Sequence, residues 1–229
     1  MLAFRILAAA IAGPLLLNAG SAAAQSSDAW YVSVGATDSL LQDPDTVIQN
    51  APAPGSQLAI TTGVKNGPGG SAAIGHSYGA FRLEAEIGST ANKTTHYTAT
   101  SPIVATVPQS GTDRVSRLMA NAFYDVSLSN SRLHPYLGVG VGVASVKLST
   151  FAARPVGPPA PTSLIDETQS AFAWQLAAGA ALDLNRRIAL TAQYRYLDAG
   201  KVKGHDTRGQ DIETRIAGSN VDLGLRVRF

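Results

Sequence analysis

The chain contains no cysteine. Disulfides, thiol chemistry and Cys-ligated metal sites are thereby excluded, as is the cysteine-borne lipid of a bacterial lipoprotein. Charge is also scarce. Asp, Glu, Lys and Arg make up 15% of the residues, against about 25% in ordinary soluble domains. Long apolar runs are missing as well beyond the N-terminus. The charge-free stretches at 133–146 and 168–182 are too short for a spanning helix, which needs about 20 residues. Low charge without long apolar runs is the composition of a membrane barrel wall. Each strand there needs only about 9–11 residues, and half of them face inward. The formal charge of +2, or +1 once Arg5 is removed with a leader, gives no reason to expect a nucleic-acid partner.

The N-terminus has the pattern of a secretory signal. Arg5 precedes an apolar stretch at 6–17, broken by Gly13-Pro14, and Ala22-Ala23-Ala24 supplies a small-x-small cleavage site. Residues 1–24 are therefore expected to be removed, leaving one domain over 25–229 outside the cytoplasm.

What is present is alternation. In Ser219-Asn-Val-Asp-Leu-Gly-Leu-Arg-Val-Arg-Phe229, every second residue from Ser219 to Phe229 falls on one mostly apolar face. Asn220, Asp222, Gly224, Arg226 and Arg228 fall on the other. That is period 2, a strand with an apolar and a charged face. The same pattern recurs at 29–36, 71–78, 81–88, 115–126, 136–147, 171–182 and 188–196, which gives eight strands. The clearest is 81–88, where Phe81, Leu83, Ala85 and Ile87 alternate with Arg82, Glu84, Glu86 and Gly88. Connections alternate in length. The segments 37–69, 89–113, 148–167 and 197–215 are long and rich in Pro, Gly, Thr or Ser, and read as loops. Those at 79–80, 127–135 and 183–187 are short. This predicts an all-β, eight-stranded antiparallel up-and-down transmembrane barrel with four long external loops and short periplasmic turns. Aromatics fit two girdles. Trp30, Tyr78, Phe81, Tyr124 and Phe229 lie at periplasmic strand ends; Phe172, Trp174, Tyr194 and Tyr196 lie at the opposite ends.

These segments resemble the small eight-stranded outer-membrane β-barrel family, which includes opacity-type surface antigens and OmpA-like transmembrane domains. The resemblance is carried by Trp30-Tyr-Val-Ser-Val-Gly-Ala36, Gly79-Ala-Phe-Arg-Leu-Glu-Ala-Glu-Ile87 and Leu118-Met-Ala-Asn-Ala-Phe-Tyr-Asp125. Pro135-Tyr-Leu-Gly-Val-Gly-Val-Gly142, Tyr194-Arg-Tyr-Leu-Asp198 and Leu223-Gly-Leu-Arg-Val-Arg-Phe229 extend it over essentially the whole mature chain. Where the family usually has an aromatic after Ile74-Gly75, this chain has His76, which should lie in the periplasmic girdle. The resemblance implies a bacterial outer-membrane protein in contact with lipid and lipopolysaccharide, with Phe229 as the terminus read by the barrel-assembly machinery. It implies little about activity, since members serve as structural proteins, adhesins, antigens or weak porins.

The inward faces hold Arg82, Arg117, Arg195, Arg226 and Arg228, together with Glu84, Glu86, Asp125, Asp183 and Asp222: five of each sign. An eight-stranded barrel is just wide enough for side chains to fill. Unpaired buried charge is costly, so a balanced salt-bridge plug is expected. The inward glycines Gly138, Gly140, Gly142, Gly179 and Gly224 should make room for these long charged side chains. Catalysis has little support. Glu84 and Glu86 share a face with Arg82, which argues for pairing, and His205-Asp206 with Asp211 lacks the ligand spacing of a metal site. His96 and His134 fall in a loop and a turn. No cofactor is expected. The last loop carries Lys201, Lys203, His205 and Arg208, and Lys147 and Arg215 lie at external strand ends, where long cationic side chains reach headgroups. The expected role is structural or surface-interacting, with a host or cell-surface ligand at the loops. The alternatives are a narrow low-conductance porin, a lipid-A-modifying enzyme, and a soluble lipocalin-like barrel with its faces inverted.

Overall fold

Alternating residues that suit both lipid and a polar interior form strands here with few interruptions. The computed structural model describes residues 28–43, 45–49, 57–101, 104–126, 131–151, 163–205 and 211–229. The expected signal at 1–24 lies outside them. In chain order the strands are β1 (Asp28–Leu41), β2 (Asp45–Gln49), β3 (Gln57–Lys65), β4 (Gly67–Tyr78) and β5 (Phe81–Ser101). They continue as β6 (Ala105–Asp125), β7 (Leu133–Phe151), β8 (Ser163–Asp183), β9 (Ile188–His205) and β10 (Asp211–Arg228). Every pairing is antiparallel. The order β1-β4-β5-β6-β7-β8-β9-β10 closes through β1 against β10, with Tyr31 opposite Arg228 and Leu41 opposite Gly218. Closure leaves no sheet edge for lipid to meet, which is what lets a sheet cross a membrane.

The strands β2 and β3 do not form a separate layer. Facing residue numbers keep one constant sum from Asp28 opposite Tyr78, through Ser39 opposite Gly67, to Gln49 opposite Gln57. So β1–β2 and β3–β4 are the two arms of a single long hairpin. Its upper half continues the wall between β10 and β5. The handover against β10 coincides with a register shift between Arg215 and Ala217. The barrel is thus eight-stranded at the membrane and above it.

This corrects the reading of 37–69, 89–113, 148–167 and 197–215 as loops. Most of each long segment is wall. β5, β6 and β8 each run for 21 residues, roughly twice the 9–11 that a membrane crossing needs. The shortest connections stand where they were expected. Gly79-Ala80 joins Tyr78 to its partner Phe81, and Gly79 has φ +63°, which an L side chain adopts only with strain. At the turn before β9, the Asn185 side-chain oxygen accepts from the backbone N–H groups of Arg187 and Ile188, at 2.8 Å each.

The faces settle which way the barrel is turned. Val34, Ile87, Leu118, Leu137, Val139 and Phe172 are exposed, whereas Arg82, Glu86, Arg117 and Arg195 are at most 4% exposed. A soluble lipocalin-like barrel needs the reverse arrangement. A continuous exposed apolar belt around a charged interior requires a nonaqueous surround.

Candidate functional site

The lumen is built in tiers, each set by strand parity. At the periplasmic end Arg228 Nη2 donates to Asp183 Oδ1 at 2.9 Å, and His134 Nε2 lies 3.3 Å from Asp183 Oδ2. Above it Arg82 Nε donates to Asp125 Oδ2 at 2.7 Å, and Arg82 Nη1 donates to the Tyr31 hydroxyl at 3.2 Å. The Arg82 guanidinium also stands over the rings of Phe123 at 4.6 Å and Tyr136 at 5.0 Å. Arg226 lies 5.1 Å from the Tyr31 ring centre and 5.7 Å from that of Tyr136. Desolvated cations on aromatic faces are each stabilised by about 2 kcal/mol.

The central tier is a carboxylate crossroads. Glu86 Oε1 accepts from Arg117 Nε at 2.9 Å and from Arg195 Nη1, while its Oε2 accepts from Asn121 Nδ2 at 3.0 Å. Arg195 Nη2 reaches Asp222 Oδ2 at 3.0 Å, and Thr37 Oγ1 donates to Asp222 Oδ1 at 2.6 Å. Glu84 accepts from the Tyr31 hydroxyl at 3.1 Å. The chain of amides closes with Gln175 Nε2 donating to Asn121 Oδ1 at 2.6 Å. An apolar cluster including Val115, Met119, Val146, Leu197 and Ile216 also fills the interior. A second includes Phe123, Tyr136 and Ala177.

The ten inward charges named from the sequence therefore fall into one interior. All make ion pairs except Glu84, held by Tyr31, and Arg226, held over aromatic rings. Sequence reasoning missed the neutral members: Tyr31, Thr37, Asn121, Tyr136 and Gln175. Their only signal was parity, since each sits on the inward register of its strand. The five glycines expected to seat the charged side chains instead face neutral groups, among them Phe123, Asn121, Met119 and Tyr136. A Cβ at Gly138 would lie 2.2 Å from the Phe123 ring, and one at Gly179 would lie 2.7 Å from the Tyr136 hydroxyl. Gly88 makes room for the Arg117 guanidinium.

Among the described residues, two small cavities can be placed in the interior. The larger, about 50 Å³, is bounded by Arg82, Glu84, Glu86, Arg195, Asp222 and Arg226 among others. The smaller, about 10 Å³, lies by Val115, Arg117 and Leu197. The first has room for a few waters. Among the described residues no group of His, Asp and Glu is arranged to hold a metal ion. The sequence 206–210 lies outside the described residues, and with it Asp206 and Arg208.

The outer surface carries the girdles. Trp30 meets His76 edge-on at 5.0 Å between ring centres, and His76 lies 4.5 Å from Tyr78, so His76 stacks within the periplasmic ring. Phe81 and Tyr124 are 5.1 Å apart, and Trp174 and Tyr196 5.7 Å apart. The Tyr194 hydroxyl is 2.5 Å from that of Ser219, and Phe172 is 66% exposed. At the terminus the Phe229 N–H donates to the Trp30 carbonyl at 2.9 Å, and its side chain faces outward, 72% exposed. Higher on the wall, exposed Arg215 pairs with Asp198 at 3.2 Å, and Lys201 with Glu213 at 2.5 Å.

A closed antiparallel barrel with an ionic interior, an apolar belt and aromatic girdles is an integral barrel of the bacterial outer membrane. The chain belongs to the family of the outer membrane protein beta-barrel domain, whose model matches residues 9–229. It is 35% identical over 127 residues to outer membrane protein PagN of Salmonella typhimurium, covering 51% of this chain and 50% of that one. The alignment thus spans about half the length of that relative. Neisserial surface protein A superposes with a TM-score of 0.53 at 17% identity, over 87% of this chain and 97% of that one. OprG of Pseudomonas aeruginosa superposes with a TM-score of 0.56 at 12% identity, over 89% and 96%. At those identities the two structures show the shared fold.

Proposed function

We propose that the protein acts at the cell surface through the tall outer part of its wall, and that the lumen is a structural plug with no catalytic role. The observation that carries this is a contrast of heights. Strands of up to 21 residues continue far past the membrane belt, while the membrane-level interior is filled by interlocked pairs around Glu86. The rise of about 3.3 Å per residue puts roughly half of each such strand outside the bilayer. Binding residues concentrate on the exposed parts of rigid scaffolds. The four strand-to-strand apices, with Lys203, His205 and Arg208 near the last, are where a host or cell-surface ligand meets the protein. The terminal strand with Phe229 is its contact with the assembly machinery.

A narrow channel is the competing reading, and the plug separates the two. Purified protein in planar bilayers is expected to give no steady conductance. A stable ohmic conductance, altered by Arg117→Ala or Glu84→Ala, overturns the plug. For the surface role, cells carrying the protein should adhere to a target surface or to each other more than cells carrying a form with shortened apices. Equal adhesion, with equal outer-membrane content of the two forms, overturns it. Catalysis is tested by incubation with lipid A, which should be recovered unmodified.

A further inference from the structure

Two of the ten interior charges are out of step with the rest. Asp125, Asp183, Asp222 and Glu86 each hold an arginine. Glu84 on β5 instead meets neutral donors, the Tyr31 hydroxyl at 3.1 Å and Asn121 Nδ2 at 3.4 Å. Arg226 on β10 stands over the rings of Tyr31 and Tyr136, at 5.1 and 5.7 Å. Their strands are separated by β1 and β4, yet both side chains border the same cavity of about 50 Å³, together with Arg82 and Arg195. Donors there outnumber acceptors. Nε of Arg226, Nε of Arg195 and Nη2 of Arg82 are buried and meet no acceptor among the described residues. Contact with a ring uses the flat face of a guanidinium, so the N–H groups in its plane still need partners. A buried donor without one is costly.

Formal charge decides what can join them. With Glu84 ionised, the ten groups carry five charges of each sign. An anion entering alone leaves an excess negative charge in the interior, and a proton entering alone leaves an excess positive one; either is costly. One proton and one monovalent anion entering together keep the balance. Glu84 is the carboxyl that takes the proton without giving up an arginine. Its phenol partner both donates and accepts, so that contact survives the change. Around Glu84 stand Tyr31 of β1, Gly75 of β4, Asn121 of β6, Tyr136 of β7, Arg195 of β9 and Arg226 of β10. Arg82 and Glu86 flank it on its own strand. Neutralising Glu84 ends its repulsion of Glu86 and leaves the charge of Arg226 to an anion.

We propose that this cavity is a binding site for one halide-sized monovalent anion, held by the guanidinium groups of Arg226, Arg195 and Arg82 and taken up together with a proton on Glu84. A space for a few waters admits chloride and excludes bulky anions. The site belongs to the interior of the plug and depends on neither the apices nor the lipid. Conductance is a separate observable, so the plug stands or falls independently of the anion.

The test uses the full mature barrel folded in neutral detergent, with gluconate replaced stepwise by chloride at constant ionic strength. The readout is the midpoint of thermal unfolding, between about pH 8 and about pH 5. Chloride should raise the midpoint of wild type. The chloride concentration needed for a fixed rise should fall about tenfold for each unit of pH lowered, as long as Glu84 is ionised in the anion-free barrel. Glu84→Gln is neutral at every pH, so its response to chloride should be the same across the range. Arg226→Gln should respond no more to chloride than to gluconate. Equal midpoints of wild type in chloride and gluconate at every pH overturn the proposal and leave water alone in the cavity. A wild-type response independent of pH overturns it too, as does an undiminished response in Arg226→Gln. If a single variant fails to fold, Glu84→Gln/Arg226→Gln keeps the charge balance and should ignore chloride; a response equal to that of wild type there counts against the site.

Discussion

Charges inside the barrel and charges on its outer wall obey different rules. Inside, Arg82, Arg117 and Arg195 are almost fully buried, and each meets a carboxylate. Burial without a partner there costs several kcal/mol per ion, so balance is a condition of folding. Outside, Arg215 and Lys201 are well over half exposed, and their pairs with Asp198 and Glu213 are solvated. Such pairs contribute about 1 kcal/mol or less. Pairing inside therefore says little about function, because the interior could not exist without it. Charge arrangement outside is free to vary, because water can solvate those groups.

The contrast predicts a graded series, read as midpoint shifts in urea unfolding of the barrel in lipid vesicles. The largest effect belongs to Glu86→Ala, which leaves both Arg117 and Arg195 facing each other without their shared carboxylate. A loss of about 3–5 kcal/mol is expected; a loss below about 1 kcal/mol would show that the lumen is wet enough to solvate bare guanidinium groups. Gly138→Val comes next, since its side chain would enter the Phe123 ring. It should cost about 1–3 kcal/mol without changing any charge, and a loss below about 0.5 kcal/mol would show that the Phe123 ring can move aside. Asp183→Asn is smaller. It removes the partner of Arg228 and His134 at the periplasmic mouth, where the side chains are about a quarter exposed, so about 1 kcal/mol is expected. Arg215→Ala should be smallest, within about 0.5 kcal/mol, because its side chain is 63% exposed. If Arg215→Ala matched Glu86→Ala, the distinction between the two regions would fail.

The membrane half of this fold was legible in the sequence, and the upper half was not. At the belt every outward residue must be apolar and the inward ones polar or small, so period 2 is written strongly, as in Phe81–Gly88. Above the belt both faces can tolerate water. Thr94, Thr95, His96 and Thr98 then show no contrast between faces, although all lie in β5. Proline misled further. Pro108 sits inside β6, facing His96 where the register shifts between Thr94 and His96, and Pro68 sits at the start of β4. Proline is tolerated in sheets at such irregular or terminal positions, where no ladder hydrogen bond depends on its nitrogen. In the lumen, the charged members could be found because charge is rare in this chain. The amides and phenols could not, because Asn121, Gln175 and Tyr136 look ordinary until the wall brings them together around Glu86 and Arg82.

The unbroken register of the first hairpin has a genetic consequence. Because facing positions stay matched from Asp28–Tyr78 to Gln49–Gln57, a one-residue deletion in either arm turns every side chain beyond it to the opposite face. Length change in this region is then restricted to matched pairs of residues, one set in each arm, or to the apex between the arms. Substitution on the outward positions carries no such restriction. Natural variation of the exposed wall should accordingly consist of point changes at every second residue and of insertions in even steps, and repertoire sequencing of surface-selected variants would display that two-residue grammar directly.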